Sequence, residues 1–111
     1  MEQILLEGLM KENLDLGLKD KVAIVAGGGS NGDGIGNGRA ASMLLAEAGA
    51  KVLVVDVNEK FAQNTVNLIK KNGGNAFAIS ADLTSSIECE KVIKEVINKW
   101  GRLDILDNNI G

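Results

Sequence analysis

Seven of the twelve positions from 27 to 38 are glycine (Gly27, Gly28, Gly29, Gly32, Gly34, Gly36 and Gly38), half of the 14 glycines in the chain. They follow directly on the apolar run Val22-Ala23-Ile24-Val25-Ala26, which predicts a short strand buried on both faces. Beyond them Ala40, Ala41, Leu44, Leu45 and Ala48 recur at helical spacing and stop at Gly49, which predicts a helix with a glycine C-cap. Strand, glycine-dense turn and helix, in that order, constrain the chain more than any other feature. Glycine lacks the Cβ that keeps a ligand away from the backbone, and it tolerates positive φ, so the turn's amides can converge on an anion at the helix N-terminus. Phosphate or pyrophosphate is the ligand class this favours. The plainer alternative is a flexible connection, against which the placement directly after a buried strand speaks. No Gly-Lys-Ser/Thr follows, which argues against a P-loop.

The same switching of hydrophobic period continues downstream. Val52-Leu53-Val54-Val55 predicts a second buried strand ending at Asp56. Asn58 then reads as the N-cap of a helix with Phe61, Thr65, Leu68 and Ile69 on one face, Lys70 and Lys71 near its negative end, and Gly73-Gly74 closing it. Ala76-Phe77-Ala78-Ile79 predicts a third strand. Ser85 and Glu88 have capping-box spacing, and the helix after them carries Cys89, Val92, Ile93, Val96, Ile97 and Trp100 on one stripe until Gly101 ends it. Leu103-Asp104-Ile105-Leu106 predicts a fourth strand, followed by Asn108-Asn109-Ile110-Gly111.

Alternating strands and helices build a parallel sheet with helical crossovers. The expected fold is α/β: a partial Rossmann-like doubly wound sheet of four parallel strands in the order 3-2-1-4 with three crossover helices, the first two on one face and the third on the other. Residues 1–18 stand outside this pattern as a leader with scattered Leu, readable as a short amphipathic helix. Residues 19–111 form the expected dinucleotide-binding domain, truncated.

Composition narrows the chemistry. The 111 residues hold 12 Lys and Arg against 15 Asp and Glu, a net charge of −3, so no basic surface points to nucleic acid. There is no His, no Tyr and one Cys, Cys89. The usual imidazole and phenol acid/base groups are therefore missing, and neither a His-containing nor an all-Cys zinc site is available. A single Cys forms no internal disulfide, which fits a cytoplasmic location. The first residues carry acid rather than the basic flank of a signal peptide, and no apolar run reaches about 18 residues, so no membrane anchor is expected. Cys89 and Trp100 read as packing residues.

Asp56 refines the anion site. It lies at the end of the second strand, 20 residues after Gly36, where a carboxylate can accept hydrogen bonds from an adenosine ribose hydroxyl. A carboxylate there repels a 2′-phosphate, and Val57 brings no positive charge to compensate. NAD is expected in preference to NADP. The plainer alternative is that Asp56 only caps the following turn.

These residues resemble the N-terminal half of the short-chain dehydrogenase/reductase family, from about Leu16 to Gly111. The family's T-G-x-x-x-G-I-G loop is similar to Ala26-Gly27 followed by Gly34-Ile35-Gly36, with three extra residues between. Gly28, Gly32 and Gly34 satisfy the same spacing in a second register; the first keeps Gly-Ile-Gly and the distance to Asp56. Asp82-Leu83 matches the pair that contacts adenine in the family, and Gly101 to Leu106 followed by Asn108-Asn109-Ile110-Gly111 matches its G-x-L-D-I-L-V-N-N-A-G segment. The resemblance implies cofactor contacts from Gly27, Ser30, Asn31, Gly34, Ile35, Gly36, Asp56, Val57, Asp82, Leu83 and Asn109. Departures are Ala26 for Thr, Asp107 for Val and Ile110 for Ala.

The resemblance also implies hydride transfer between a nicotinamide ring and an alcohol or carbonyl carbon, with Tyr-x-x-x-Lys, a Ser and an Asn supplied beyond the Asn-Asn-x-Gly segment. With no Tyr, this chain is expected to be inactive alone, and no residue in it is assigned a catalytic role. A fourth strand without a neighbour is expected to invite self-association through its edge. Two other functions stay open: a stand-alone nucleotide-binding or interaction module, and another nucleotide user on the same fold, such as a methyltransferase.

Overall fold

A computed structural model describes residues 17–27 and 37–109. Its elements are β1 (Val22–Ala26), α1 (Asn37–Glu47), β2 (Lys51–Asp56), α2 (Glu59–Lys71), β3 (Asn75–Ser80), α3 (Ser86–Trp100) and β4 (Ile105–Asn108). Residues 1–16 of the leader expected over 1–18, and the register of the glycine loop, at residues 28–36, lie outside the described residues, as do Ile110 and Gly111; Gly17 and Leu18 are described and are not helical.

The four strands form one parallel sheet in the order β3-β2-β1-β4, as the alternation requires. Side chains alternate across the pleat. Val52 and Val54 of β2 join Val25, Ala46 of α1 and Ala62, Val66 and Ile69 of α2 in one buried cluster. Leu53 and Val55 face the other way and join Val22, Ile24 and Val92 and Val96 of α3. The first two helices thus share one face and the third covers the other. All five residues of β1 are buried, which explains why its sequence is continuously apolar rather than alternating.

The helix ends follow from local chemistry. Asn58 Oδ1 accepts the Lys60 and Phe61 N–H groups at 3.0 and 3.3 Å. Ser85 Oγ accepts from the Glu88 N–H at 3.4 Å, but the Glu88 carboxylate does not close the capping box onto Ser85. It accepts the Asp82 N–H at 3.2 Å instead, tying the helix to the turn after β3. Gly101 ends α3 in the left-handed conformation, φ +78°, its N–H donating to the Ile97 carbonyl at 2.8 Å. Trp100 packs edge-on against Phe77, ring centres 4.9 Å apart, and the Cys89 thiol donates to the Leu83 carbonyl at 3.0 Å.

Two expectations need correction. The fourth strand is Ile105–Asn108 rather than Leu103 to Leu106. Leu103 packs against the α3-side core, and Asp104 bridges backward: its N–H donates to the Val22 carbonyl and its Oδ2 accepts the Val22 N–H, both at 2.9 Å. The residue-by-residue pairing therefore starts at Ala23 opposite Ile105. The stripe on α3 is also narrower than its spacing suggests. Val92 and Val96 are buried, whereas Ile93 and Ile97 are exposed, as is Leu106 at 64%. Leu106 pairs with Ile24, so it points to the face that only α3 covers among the described helices.

Candidate functional site

The register places the ends of all four strands in line. Ile79, Val55, Ala26 and Asn108 lie side by side across the sheet, so the next residues, Ser80, Asp56, Gly27 and Asn109, form its carboxyl rim. Neighbouring strands are about 4.8 Å apart, and the rim from Ser80 to Asn109 is therefore about 14 Å long. Strand order reverses at β1, between β2 and β4, which is where open α/β sheets bind ligands.

Gly27 sits at that reversal. Its φ is +71°, a conformation that costs a residue with Cβ about 1–2 kcal/mol, and its N–H donates to the Val55 carbonyl at 2.7 Å. The backbone thus leaves β1 turned toward the rim, and α1 begins ten residues later at Asn37. Ser30, Asn31, Gly34, Ile35 and Gly36 lie outside the described residues. On the other side of β1, the Asn109 N–H donates to the Ala26 carbonyl at 2.9 Å. The Asn109 side-chain Nδ2 is buried and has no acceptor among the described residues. A buried donor left in this state costs free energy of about 1–3 kcal/mol unless a ligand supplies an oxygen, so Asn109 fits the edge of a polar ligand's site.

Asp56 occupies the rim position of β2. Its Oδ1 accepts the Asn58 N–H at 2.9 Å, its carbonyl accepts the Ala81 N–H at 3.1 Å, and Oδ2 takes no bond from the described residues. Val57 beside it is 71% exposed. One carboxylate oxygen thus organises the turn, and the other takes no bond from the described residues.

Asp82 follows β3. Its Oδ1 accepts from both the Thr84 hydroxyl at 2.6 Å and the Thr84 N–H at 2.9 Å. The Thr84 hydroxyl, and then its N–H, hold this carboxyl below the usual aspartate range. Asp82 therefore remains an acceptor at neutral pH, with Oδ2 unbonded among the described residues. Leu83 packs against the α3-side core, which fixes the turn on which Asp82 stands.

Three residues to which no sequence motif assigned a site role lie in the same neighbourhood. Arg39, in the first turn of α1, is only 8% exposed, and its Nε donates to Thr65 Oγ1 on α2 at 3.0 Å, locking together the two helices behind the rim. Thr84 orients Asp82. Ser80 donates from Oγ to the Val57 carbonyl at 3.0 Å. No local pattern marks Arg39 or Ser80, because their partners lie 26 and 23 residues away. The Asp-x-Thr spacing of residues 82 to 84 is the one signal that was readable, as an Asx turn.

Among the described residues no group of three His, Cys, Asp or Glu side chains is placed to hold a metal, and no helix is long and apolar enough to cross a membrane. The described residues instead place Gly27 at the reversal, carboxylate oxygens without a bond from the described residues on one side and a buried amide donor on the other.

Comparison with known proteins agrees with this geometry. The family model for short chain dehydrogenase matches residues 21–111. The chain is 43% identical over 91 residues to the short-chain dehydrogenase/reductase homolog YusS of Bacillus subtilis, covering 81% of this chain and 79% of that one. It is 39% identical over 97 residues to the 7alpha-hydroxysteroid dehydrogenase of Escherichia coli, covering 87% of this chain and 36% of that enzyme. The crystal structure of hydroxysteroid dehydrogenase from Escherichia coli superimposes with a TM-score of 0.76 at 39% identity, over 85% of this chain and 38% of that one. The chain thus spans little more than a third of the length of the hydroxysteroid dehydrogenase and most of the length of the Bacillus relative.

Proposed function

The chain belongs to the short chain dehydrogenase family, and from that premise we propose that it binds a nicotinamide dinucleotide along the carboxyl rim of its sheet, taking NAD in preference to NADP. It would serve as the cofactor-binding part of an oxidoreductase acting between an alcohol and a carbonyl carbon. The observation that carries this reading is the alignment of Asp56, Gly27 and Asn109 on adjacent strand ends, with Asp56 Oδ2 unbonded and Asn109 Nδ2 buried without an acceptor among the described residues.

Gly27 with Ser30, Asn31, Gly34, Ile35 and Gly36 would receive the pyrophosphate. Asp56, with Val57 beside it, would take the adenosine ribose, and Asp82 and Leu83 the adenine. Asn109 would donate from the far side of the reversal. When bound, the cofactor supplies or accepts the hydride. The 111 residues contain no Tyr and no His, so no acid/base step at a substrate oxygen is assigned to them.

Charge supports the preference for NAD. Two unit charges 4 Å apart repel by about 1 kcal/mol in water and about 4 kcal/mol at a protein surface with an effective dielectric of 20. Asp56 is half-buried, between those limits, and a preference of about tenfold or more is expected. The proposal extends to a cytoplasmic setting, consistent with the single cysteine, and to contact between copies of the chain through β4, which the exposure of Leu106 supports. A second reading, a nucleotide-binding or interaction module that works without a catalytic half, is favoured by the coverage of 79% of the Bacillus relative.

Titration calorimetry of the folded chain with NAD and with NADP tests the proposal. Saturable NAD binding, with NADP about tenfold weaker, is the expected result; a folded chain that releases no heat with either at millimolar concentration overturns it.

A further inference from the structure

We infer that Ser80 is a positioning residue for recognition of the adenosine ribose, holding the carboxylate of Asp56 in place through a single peptide group; the inference rests on the NAD reading above. Ser80 pairs with Asp56 in the register of β2 and β3, yet its hydroxyl passes Asp56 and donates to the carbonyl of Val57 at 3.0 Å. That carbonyl belongs to the peptide joining Val57 to Asn58. The N–H of the same peptide, on Asn58, donates to Asp56 Oδ1 at 2.9 Å.

A trans peptide is planar, so its carbonyl and N–H turn as one unit. Ser80 grips one end and the Asp56 carboxylate is bonded to the other. Asn58 is held in turn by its own side chain, which caps α2 through the Lys60 and Phe61 N–H groups. The Asp56 carbonyl is fixed separately by the Ala81 N–H at 3.1 Å. Two successive carbonyls of the turn leaving β2 are thus held, the first by the backbone of Ala81, just after β3, and the second by the hydroxyl of Ser80, the last residue of β3. The side chain of Val57 is 71% exposed and does little to hold the turn by packing.

With the peptide fixed, Oδ1 of Asp56 is committed and Oδ2 is left for the ribose hydroxyl. Without the Ser80 hydroxyl the peptide can rotate, the bond to Oδ1 is lost for part of the time, and the carboxylate samples other rotamers. Hydrogen bonding to the ribose needs a fixed direction, whereas repulsion of a 2′-phosphate depends chiefly on distance. Loss of the hydroxyl therefore weakens NAD binding and leaves the already weak NADP binding nearly unchanged.

The test is calorimetry of the full chain with NAD and NADP for the unaltered protein, Ser80→Ala, Ser80→Thr and Ser80→Val, with Asp56→Asn as reference. Thr and Val are nearly isosteric and differ in the hydroxyl, so that pair carries the comparison even if Ser80→Ala is poorly folded; circular dichroism reports folding of each variant. Ser80→Ala and Ser80→Val should bind NAD about fivefold more weakly, the worth of one net hydrogen bond. NADP should change less than about twofold, and Ser80→Thr should bind both as the unaltered chain does. Parallel losses for NAD and NADP in the Val variant, or an unchanged NAD affinity, overturn the role of Ser80. An unaltered chain with no preference for NAD, or a preference that Asp56→Asn leaves intact, overturns the cofactor reading itself.

Discussion

Asp104 shows how one side chain can set the start of a strand pair. Its carboxylate takes Arg102 in a two-point contact, Nε to Oδ2 and Nη2 to Oδ1, both at 2.8 Å, and also accepts the Val22 N–H that no β partner would otherwise satisfy. The Arg102 hydrogen bonds first, and the Val22 N–H second, hold the Asp104 carboxyl below the usual aspartate range. A folded-state value below the unfolded one means that the carboxylate stabilises the fold above the unfolded value, and that this contribution disappears as pH falls through the folded value. Asp82, lowered by Thr84, acts in the same direction. Urea midpoints followed from neutral pH downward should therefore fall below about pH 4. Asp104→Asn should be less stable at pH 7 and lose less stability on acidification. An Asn variant with the same acid slope as the unaltered chain would assign that slope to other carboxylates.

At the scale of elements, α3 is bounded by Ser85 at one end and Gly101 at the other, and the second boundary can be isolated. A Cβ built on Gly101 meets nothing within 4 Å, so Gly101→Ala tests the left-handed conformation without steric contact. The expected loss is about 1–2 kcal/mol in urea unfolding, with Gly101→Asn losing less because Asn tolerates that conformation. Equal stability of the Ala variant and the parent would mean that the helix end relaxes. Gly101 was readable from sequence because a helix stop is local: the hydrophobic stripe ends where the glycine stands. The order of strands and helices was readable for the same reason, since short continuous apolar runs and a period of 3.6 both appear within a few residues. The exact span of β4 was not. Leu103, Ile105 and Leu106 look like a strand by composition, but pairing begins only after Asp104 has bridged to Val22, 82 residues earlier in the chain. Asp56 was proposed from its spacing to the glycine turn and Gly27, Asp82 and Asn109 from the family resemblance, whereas Ser80 and Arg39 enter through hydrogen bonds to distant residues that leave no periodic trace.

For the whole molecule, the sheet has two unequal faces and two unequal edges. The face under α1 and α2 is closed by a continuous buried cluster, while the face under α3 is covered over β1 and β2 and leaves Leu106 exposed on β4. Ile93 and Ile97 on α3 are exposed as well, and among the described residues β4 pairs with β1 alone. An unpaired strand edge with apolar side chains beside it is a template for another chain, and natural sheets commonly blunt such edges with lysine. The net charge of −3 is too small to keep copies apart at moderate ionic strength, where the Debye length is about 8–10 Å. The 111-residue chain should therefore show a sedimentation coefficient that rises with concentration in the micromolar range. Leu106→Lys should shift it toward the monomer value, because the new charge must be desolvated in any contact that covers β4. NAD affinity should be unchanged, since Leu106 pairs with Ile24, three residues before Gly27 at the carboxyl rim. A chain that stays monomeric at about 100 μM, or a Lys variant that associates as strongly as the parent, would remove β4 as the contact surface.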